Sequence, residues 1–280
     1  MASVTKRVSV FKQPRGGFVK ISDFDSIVIN DDFVLNESEN LGGSVVGLVV
    51  DYLTRLIMGA DSEDAFRISL EGARIAEELG VKEGAMKTAK KLLKGISDMD
   101  DDSIVNACEL VTFDVWKRNT LVAMMISENS QIIPPDRDTI DNIRFLLIRS
   151  ITFWGEYGPI AKDGFNFAPP KCNVDTYKKM LDTGKGTYGG YTPTVSSGDG
   201  DFLTADTLWD FKVLRSKPTS KDTLQLLMYW IMGQHSGQDI FKSITKIGLF
   251  NPRSNTVYLK EVSTIPNDII KTVENDVICY

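Results

Sequence analysis

The chain has 280 residues, of which 42% are hydrophobic and 25% charged, with a formal net charge of −6. This size and balance suit one large or two ordinary globular domains with a substantial core. The sequence has no apolar run long enough to span a membrane, and the opening residues MASVTKRVSVFKQPRGG lack the apolar centre of a signal peptide. We therefore expect a cytoplasmic protein with no membrane partner.

Three regions follow one another along the chain. Residues 1–40 alternate short apolar pieces with Gly, Asp and Asn, which predicts an N-terminal arm or a few short strands. Residues 41–155 carry apolar positions at helical spacing and end with the amphipathic run DTIDNIRFLLIRSITFWGEYG, which predicts a helical region. Residues 156–280 combine Gly- and Pro-rich loops with apolar strands and the helix SKDTLQLLMYWIMG, which predicts an α/β core.

Cysteine and histidine content disfavours several catalytic classes. Cys108, Cys172 and Cys279 lie far apart and in no CxxC spacing, a pattern typical of buried, inert thiols rather than of a zinc site or a disulfide framework. His235 is the single histidine of the sequence. A Ser-His-Asp or Cys-His mechanism would therefore depend on that one residue.

Charge is unevenly distributed along the sequence. Residues 206–260 contain eight basic and four acidic side chains, so the rest of the chain sums to −10. A local basic balance favours a polyanion as partner, whereas the acidic remainder favours a protein partner. An ordinary solvated surface is equally compatible with this pattern.

The stretch GDGDFLTADTLWDFKV places charged side chains inside two strand-like apolar runs, where an unpaired charge is costly. If Ala205 and Asp206 form the turn of a hairpin, opposed residues have numbers that sum to 411, so Asp201 faces Asp210. Side-chain alternation then puts Lys212 on the same face of the hairpin as both acids. The sequence therefore predicts three charged groups side by side.

Two neighbouring carboxylates repel each other unless a cation lies between them, and Mg²⁺ or Mn²⁺ meets that requirement. Beside such an ion, Lys212 would orient a nucleophile or stabilise charge on a phosphate, which suits phosphodiester hydrolysis. On the following helix, Lys221, Gln225 and Tyr229 recur at i, i+4 and i+8 and share one stripe. That stripe is either part of the same site or a half-exposed helix edge.

These residues resemble the PD-(D/E)XK nuclease superfamily, whose core is a helix, a strand hairpin with one acid and then an acid-x-Lys triplet, and a helix often carrying Gln-x-x-x-Tyr. The resemblance covers about residues 140–280, with NPRSNTVYLKEV similar to the closing strand. It implies an α/β (α+β) fold in which a mixed-sheet nuclease core follows a helical N-terminal region. By position, Asp201 resembles the hairpin acid and metal ligand, Asp210 and Lys212 the acid-x-Lys pair, and Gln225 and Tyr229 the glutamine motif.

Some positions depart from the superfamily pattern or leave a choice open. Gly200 stands where the proline that names the superfamily would be. Glu156 is the nearest candidate for the glutamate that the superfamily often adds from the preceding helix, and it is either a third metal ligand or a surface residue. Asp199 competes with Asp201 for the first ligand position.

Basic residues outside the hairpin are candidates for substrate contacts. Arg215 and Lys221 are candidates for binding the phosphates of the substrate. Arg144 and Arg149, on the preceding helix, either contact phosphate or pair with the acidic helices.

We therefore expect a Mg²⁺- or Mn²⁺-dependent nuclease that acts on nucleic acid, DNA rather than RNA. The alternative is a catalytically silent nuclease-like protein of phage or mobile-element origin, which binds or inhibits a protein partner through its acidic helical region. A third reading is a structural protein in which Lys212 merely pairs with Asp210. The sequence leaves assembly into a homo-oligomer open.

Overall fold

A computed structural model describes residues 2–127, 133–167 and 189–280 of the chain. Contacts divide it into two units, of which unit 1 comprises residues 1–29 and 154–280 and unit 2 comprises residues 30–153. Cys172 lies outside the described residues. Among the helices that are described, none combines the length and the apolar character needed to cross a bilayer.

Helices and strands occupy most of the described chain. In chain order the helices are α1 (Val4–Val10), α2 (Gly43–Ile57), α3 (Ser62–Ala65), α4 (Arg67–Glu78), α5 (Ala85–Lys94), α6 (Asp101–Leu110), α7 (Asp114–Arg118), α8 (Thr120–Ser127), α9 (Arg137–Tyr157), α10 (Ser220–His235) and α11 (Asn267–Thr272). The strands are β1 (Ala2–Ser3), β2 (Asp25–Val28), β3 (Lys162–Phe167), β4 (Val195–Leu203), β5 (Thr207–Phe211), β6 (Lys246–Asn251) and β7 (Thr256–Glu261). The protein is thus mixed α/β.

Unit 1 is built on a seven-stranded mixed sheet within the described residues. The strand order is β1, β4, β5, β6, β7 and β2, and β3 also pairs with β4. β5 and β6 run parallel, as do β1 and β4, and the other pairs are antiparallel. A parallel pair requires a crossover connection, which α10 supplies between β5 and β6. Helix α10 is followed directly by β6, whereas the segment NPRSNTVYLKEV contributes β7.

The two faces of the unit 1 sheet are covered by different helices. On one face, Leu224 and Leu227 of α10 lie in a single apolar cluster with Leu203 and Leu208 of the sheet. On the other face, the last turn of α9 brings Trp154 and Tyr157 against aromatic side chains of β4 and β5. Burial of this apolar area is the main stabilising contribution on each face.

Residues 1–29 belong to unit 1 and contribute two short strands, one of the two alternatives expected for residues 1–40. β1 pairs with β4, β2 pairs with β7, and α1 packs on α10. Val4 and Val8 are buried in the same apolar cluster as α10. Local sequence patterns do not reveal these pairings because the partner strands lie far along the chain.

Unit 2 is helical and begins earlier than the helical spacing of residues 41–155 indicates. The connecting residues before α2 bind to α9, since the Asn36 N–H donates to Asn142 Oδ1 at 2.7 Å. Asp31 pairs with Arg149 at 2.6 Å and Arg144 pairs with Asp141 at 2.8 Å. Both arginines are thus engaged in ion pairs within unit 2.

A buried polar cluster joins three helices of unit 2. Asp114 is 2% exposed and accepts hydrogen bonds from Tyr52 Oη at 2.6 Å, Ser69 Oγ at 2.5 Å and Arg118 Nε at 3.2 Å. Burial and the charge of Asp114 raise the pKa of Tyr52, so its phenol stays protonated. The cluster satisfies the buried carboxylate with three donors, as burial of a charge requires.

Two glycine substitutions in unit 1 are expected to have opposite effects on stability. A Cβ at Gly200 would lie 1.8 Å from the Phe165 ring, whereas a Cβ at Gly155 on α9 would have no atom within 4 Å. We expect Gly200→Ala to lower the free energy of unfolding by about 1–3 kcal/mol through overpacking. Gly155→Ala should raise it by up to about 1 kcal/mol through helix propensity.

Thermal and urea unfolding of both variants, followed by circular dichroism, test this expectation. Equal shifts in the two variants, or a stabilised Gly200→Ala, would contradict the packing of Phe165 over β4.

Candidate active site

β4 and β5 form the hairpin that the sequence predicts. The ladder pairs Phe202 with Trp209 and Leu203 with Leu208, which is the register expected from a turn at residues 205–206. The Thr204 N–H donates a hydrogen bond of 2.9 Å to the Thr207 carbonyl across the turn. The predicted register is therefore confirmed where the ladder exists.

Asp206 lies in this turn and outside the candidate site. Its carboxylate pairs with Lys246 Nζ at 2.9 Å and accepts a hydrogen bond from Thr207 Oγ1 at 2.7 Å. The hydrogen bond and the charge of Lys246 hold the pKa of Asp206 below its usual range. This acid thus stabilises the hairpin turn.

Asp210 and Lys212 form an ion pair on the face of the sheet that α10 covers. Asp210 is 3% exposed, and its Oδ2 lies 2.8 Å from Lys212 Nζ. Burial alone would lower the pKa of Lys212, but the charges of Asp210 and Asp201 and the bond to Asp210 raise it above its ordinary value. Lys212 is therefore cationic at neutral pH and suited to stabilising negative charge rather than to accepting a proton.

Gln225 connects this ion pair to Tyr229. Lys212 Nζ donates to Gln225 Oε1 at 3.0 Å, and Gln225 Nε2 donates to Tyr229 Oη at 2.8 Å. Tyr229 is 2% exposed, and burial together with the charge of Asp210 raises its pKa. The i, i+4 pair on α10 is thus hydrogen-bonded to Lys212, while Lys221 of the same stripe is exposed.

Asp201 lies beside the Asp210–Lys212 pair and also binds the backbone of β5. Its Oδ2 accepts a hydrogen bond from the Phe211 N–H at 2.8 Å, just beyond the end of the β4–β5 ladder. The charge of Asp201 acts on Lys212 and on Tyr229. The structure therefore brings Asp201 to the other two predicted residues, with one of its oxygens turned to the backbone.

Asp199 is exposed and bound to the neighbouring strand. Its Oδ1 accepts a hydrogen bond from Asn166 Nδ2 at 2.6 Å, across the β3–β4 ladder. Of the two competing acids, Asp201 is thus the one held against β5.

Glu156 is not brought to the other two candidate metal ligands. It is exposed in the last turn of α9, which ends at Tyr157 rather than near Gly155. That turn packs against the face of the sheet opposite to the one that α10 covers. Within the described residues, no group of three or more His, Cys, Asp or Glu side chains is arranged to hold a metal ion. Glu156 therefore fits the second of its two alternatives, a surface residue of α9.

The remaining donor set consists of two carboxylates. Asp201 and Asp210 offer the hard oxygen ligands that Mg²⁺ and Mn²⁺ prefer, and Mg²⁺ commonly binds through one or two carboxylates while keeping several waters. Asp210 is nearly buried and next to a lysine, and Asp201 is partly exposed. These residues fit one such ion held by two carboxylates.

Lys221 and Arg215 are exposed near the start of α10. Lys221 lies one helical turn before Gln225 and therefore on the same side of α10. Arg215 lies in the connection between β5 and α10.

His235 and the described cysteines stand apart from this cluster. His235 is at the far end of α10, where its Nε2 lies 2.6 Å from Glu274 and its ring stacks on Tyr280 with centroids 3.8 Å apart. Cys108 belongs to unit 2, and burial raises the pKa of its thiol to about 12. Cys279 is only partly buried, unlike the expectation for all three thiols.

One contribution to the surroundings of the site was missed by the sequence reasoning. Residues 12–20 lie against the first turn of α10, with Gln13 Nε2 donating to the Ser220 carbonyl at 2.9 Å. The adjacent glycines Gly16 and Gly17 have φ of 89° and 90°, a tight-turn signal that the sequence does show. The partner of that turn, however, is a tertiary contact without a local signature.

Comparisons with known proteins give no indication of the chemistry of the site. No family model matches the chain, and neither the curated proteins nor the solved structures contain a match to it.

Removal of Asp210 tests the ion pair directly. Lys212, whose side chain is 20% exposed, would lose the carboxylate that balances its charge. We expect Asp210→Ala to lower the free energy of unfolding by about 3 kcal/mol. The double variant Asp210→Ala/Lys212→Met should be less destabilised than the sum of the two single variants, as measured by urea unfolding.

The pH dependence of this effect follows from the raised pKa of Lys212. A lysine whose folded pKa is raised stabilises the fold at every pH below its unfolded value of about 10.4 and ceases to do so as pH rises through the folded value. The effect of Asp210→Ala should thus be no larger at about pH 9 than at about pH 7, because burial without Asp210 favours the neutral lysine. Asp239→Ala, which breaks the exposed pair with Lys242, is the control and should have no measurable effect. If the effects of Asp210→Ala and Lys212→Met on the free energy of unfolding simply add in the double variant, the pairing of the two residues is contradicted.

Proposed function

We propose that the protein is a Mg²⁺- or Mn²⁺-dependent nuclease that hydrolyses phosphodiester bonds in nucleic acid, DNA rather than RNA. The observation that carries this proposal is the nearly buried Asp210–Lys212 pair with Asp201 beside it and Gln225 bound to the lysine. Such an arrangement keeps a fixed cation next to two carboxylates, a combination suited to metal-assisted phosphodiester hydrolysis.

The order of elements around the site supports the resemblance to the PD-(D/E)XK superfamily. Helix α9 precedes the β4–β5 hairpin that carries Asp201, Asp210 and Lys212, and α10 follows with Gln225 and Tyr229. After α10 the chain adds β6 parallel to β5. Helix, hairpin and helix thus follow in the expected order, with β3 between α9 and the hairpin, and the segment expected to close the core is β7, which pairs with β6.

Each side chain of the cluster has a distinct role in the proposed reaction. Asp201 and Asp210 would hold the metal ion, which when bound lowers the pKa of a coordinated water and offsets negative charge on the phosphate. Lys212 stabilises the charge that develops on the phosphate oxygens. Gln225 and Tyr229 position Lys212 through the two hydrogen bonds that link the three residues.

A cleavage assay with site variants tests the proposal. The full chain is incubated with plasmid, single-stranded DNA and RNA, in Mg²⁺, in Mn²⁺ and in chelator. We expect cleavage of DNA that requires the metal and that falls at least about a hundredfold in Asp210→Asn and Lys212→Met, since each removes charge from the reacting centre. Asp201→Asn should lose activity to a similar degree while retaining an oxygen acceptor for the Phe211 N–H.

Matched controls separate loss of chemistry from loss of structure. Asp239→Ala removes an exposed acid of the same unit and should retain wild-type activity. Cleavage that is equal in the wild type and the three site variants would contradict the proposal, as would the absence of cleavage of every substrate under all metal conditions.

A second candidate function is supported by the charge of unit 2. Its residues include 22 acidic and 13 basic side chains, whereas unit 1 has 16 acidic and 19 basic ones. A strongly acidic surface repels nucleic acid and favours a basic protein partner. A partner that is captured equally by the wild type and by Asp210→Asn, in the absence of any cleavage, would favour this binding or inhibitory role.

A further inference from the structure

The N-terminal segment of residues 12–20 is fastened to the beginning of α10. Thr223 Oγ1 donates to the Val19 carbonyl at 2.6 Å, and Gln13 Nε2 donates to the Ser220 carbonyl at 2.9 Å. The contact is close, because a Cβ at Gly17 would lie 2.5 Å from the Ser220 Cβ. Backbone therefore packs directly on the first turn of the helix.

A tight turn at Pro14–Gly17 presents Arg15 at its tip. The Gly17 N–H donates to the Pro14 carbonyl at 2.9 Å, and Gly16 at the third position has φ of 89°. A positive φ at that position, occupied by glycine, is the mark of a type II turn. The side chain of Arg15 is exposed on this turn.

The packing of this segment assembles basic side chains from two distant parts of the sequence. All of them are exposed, and within the described part of the chain none has an ion pair or a hydrogen bond to its charged group. They are Lys12, Arg15 and Lys20 from the segment, Lys217 from the connection before α10, and Lys221 from the first turn of α10. We refer to these five residues as the basic patch.

Two acids close to the basic patch in sequence, Asp222 and Asp23, make hydrogen bonds to neutral groups and no ion pair with a member of the patch. Asp222 is bound to the backbone N–H and the hydroxyl of Thr219, at 2.6 and 2.8 Å. Asp23 accepts a hydrogen bond from the backbone N–H of Lys20 at 3.3 Å. Elsewhere in unit 1, by contrast, Lys242 and Lys246 are held in ion pairs.

We infer that the basic patch binds the sugar-phosphate backbone of a nucleic acid and directs it to the Asp210–Lys212 pair. Exposed, uncompensated cations repel one another, and phosphate groups relieve that repulsion while releasing counterions. Lys221 is one helical turn from Gln225, which in turn binds Lys212, so the patch adjoins the site along one side of α10. The inference rests on the proposed function only for the choice of a nucleic acid as the polyanion.

Binding in chelator separates this inference from the nuclease activity. Fluorescently labelled single-stranded and duplex DNA are titrated with the full chain in EDTA, at several salt concentrations between about 50 and 200 mM. The test variant is Lys12→Glu/Arg15→Glu/Lys20→Glu. The control variant, Lys87→Glu/Lys90→Glu/Lys94→Glu on α5 of unit 2, makes the same change in net charge at three exposed lysines.

We expect the test variant to bind DNA at least about tenfold more weakly than the wild type at low salt. The slope of the logarithm of the binding constant against the logarithm of the salt concentration should fall by the amount that corresponds to about two to three phosphate contacts. The control variant should stay within about twofold of the wild type, because it lies outside the basic patch. Lys217→Glu/Lys221→Glu alters the patch without touching the N-terminal segment and should weaken binding in the same direction. If circular dichroism shows that the triple test variant does not fold, the DNA binding of this double variant tests the inference instead.

Several results would overturn the inference. These are a wild type that does not bind DNA in chelator, patch variants that bind like the wild type, and a control variant that is weakened as much as the test variant. A wild type that self-associates through the patch, with DNA affinity unchanged in the patch variants, would assign the patch to a second copy of the chain. Failure of the nuclease proposal shows separately, as DNA binding without metal-dependent cleavage.

Discussion

The Asp210–Lys212 ion pair is the constraint around which unit 1 is organised. A nearly buried carboxylate is costly unless a cation and hydrogen bonds offset its loss of hydration. Lys212 supplies the cation at 2.8 Å, and Gln225 binds the other side of the ammonium group. Replacing a buried ion pair with apolar residues of similar volume is often neutral or stabilising, so the pair is not explained by stability alone, in line with the proposed role in catalysis.

The surrounding fold serves to hold these charges in place. The short ladder between β4 and β5 fixes the register, and the Asp201 carboxylate takes over the Phe211 N–H where the ladder ends. The parallel pairing of β5 with β6 requires a crossover, which lays α10 over the charged face. The opposite face is closed by the aromatic contacts of Trp154 and Tyr157.

The two units that the contacts define also differ in their balance of acidic and basic residues. Unit 2 carries the excess of acidic residues, and unit 1 has a basic excess to which the N-terminal segment contributes. Because these opposite balances partly cancel, the net charge of the whole sequence, −6, does not reveal them. The two proposed partners, a polyanion and a basic protein, thus correspond to opposite charge balances in different units.

The sequence by itself determined the features that depend on short-range geometry. The two-residue period of strands and the tight turn set the register of Phe202 with Trp209 and placed Lys212 on the face of Asp210, and the helical period placed Gln225 next to Tyr229. Tertiary structure alone decided which elements meet: that α10 covers the charged face, that Glu156 belongs to a turn on the other face, and that residues 1–29 complete the sheet. Such contacts join residues far apart in the chain and are selected by burial of apolar area over the whole unit, which no local pattern encodes.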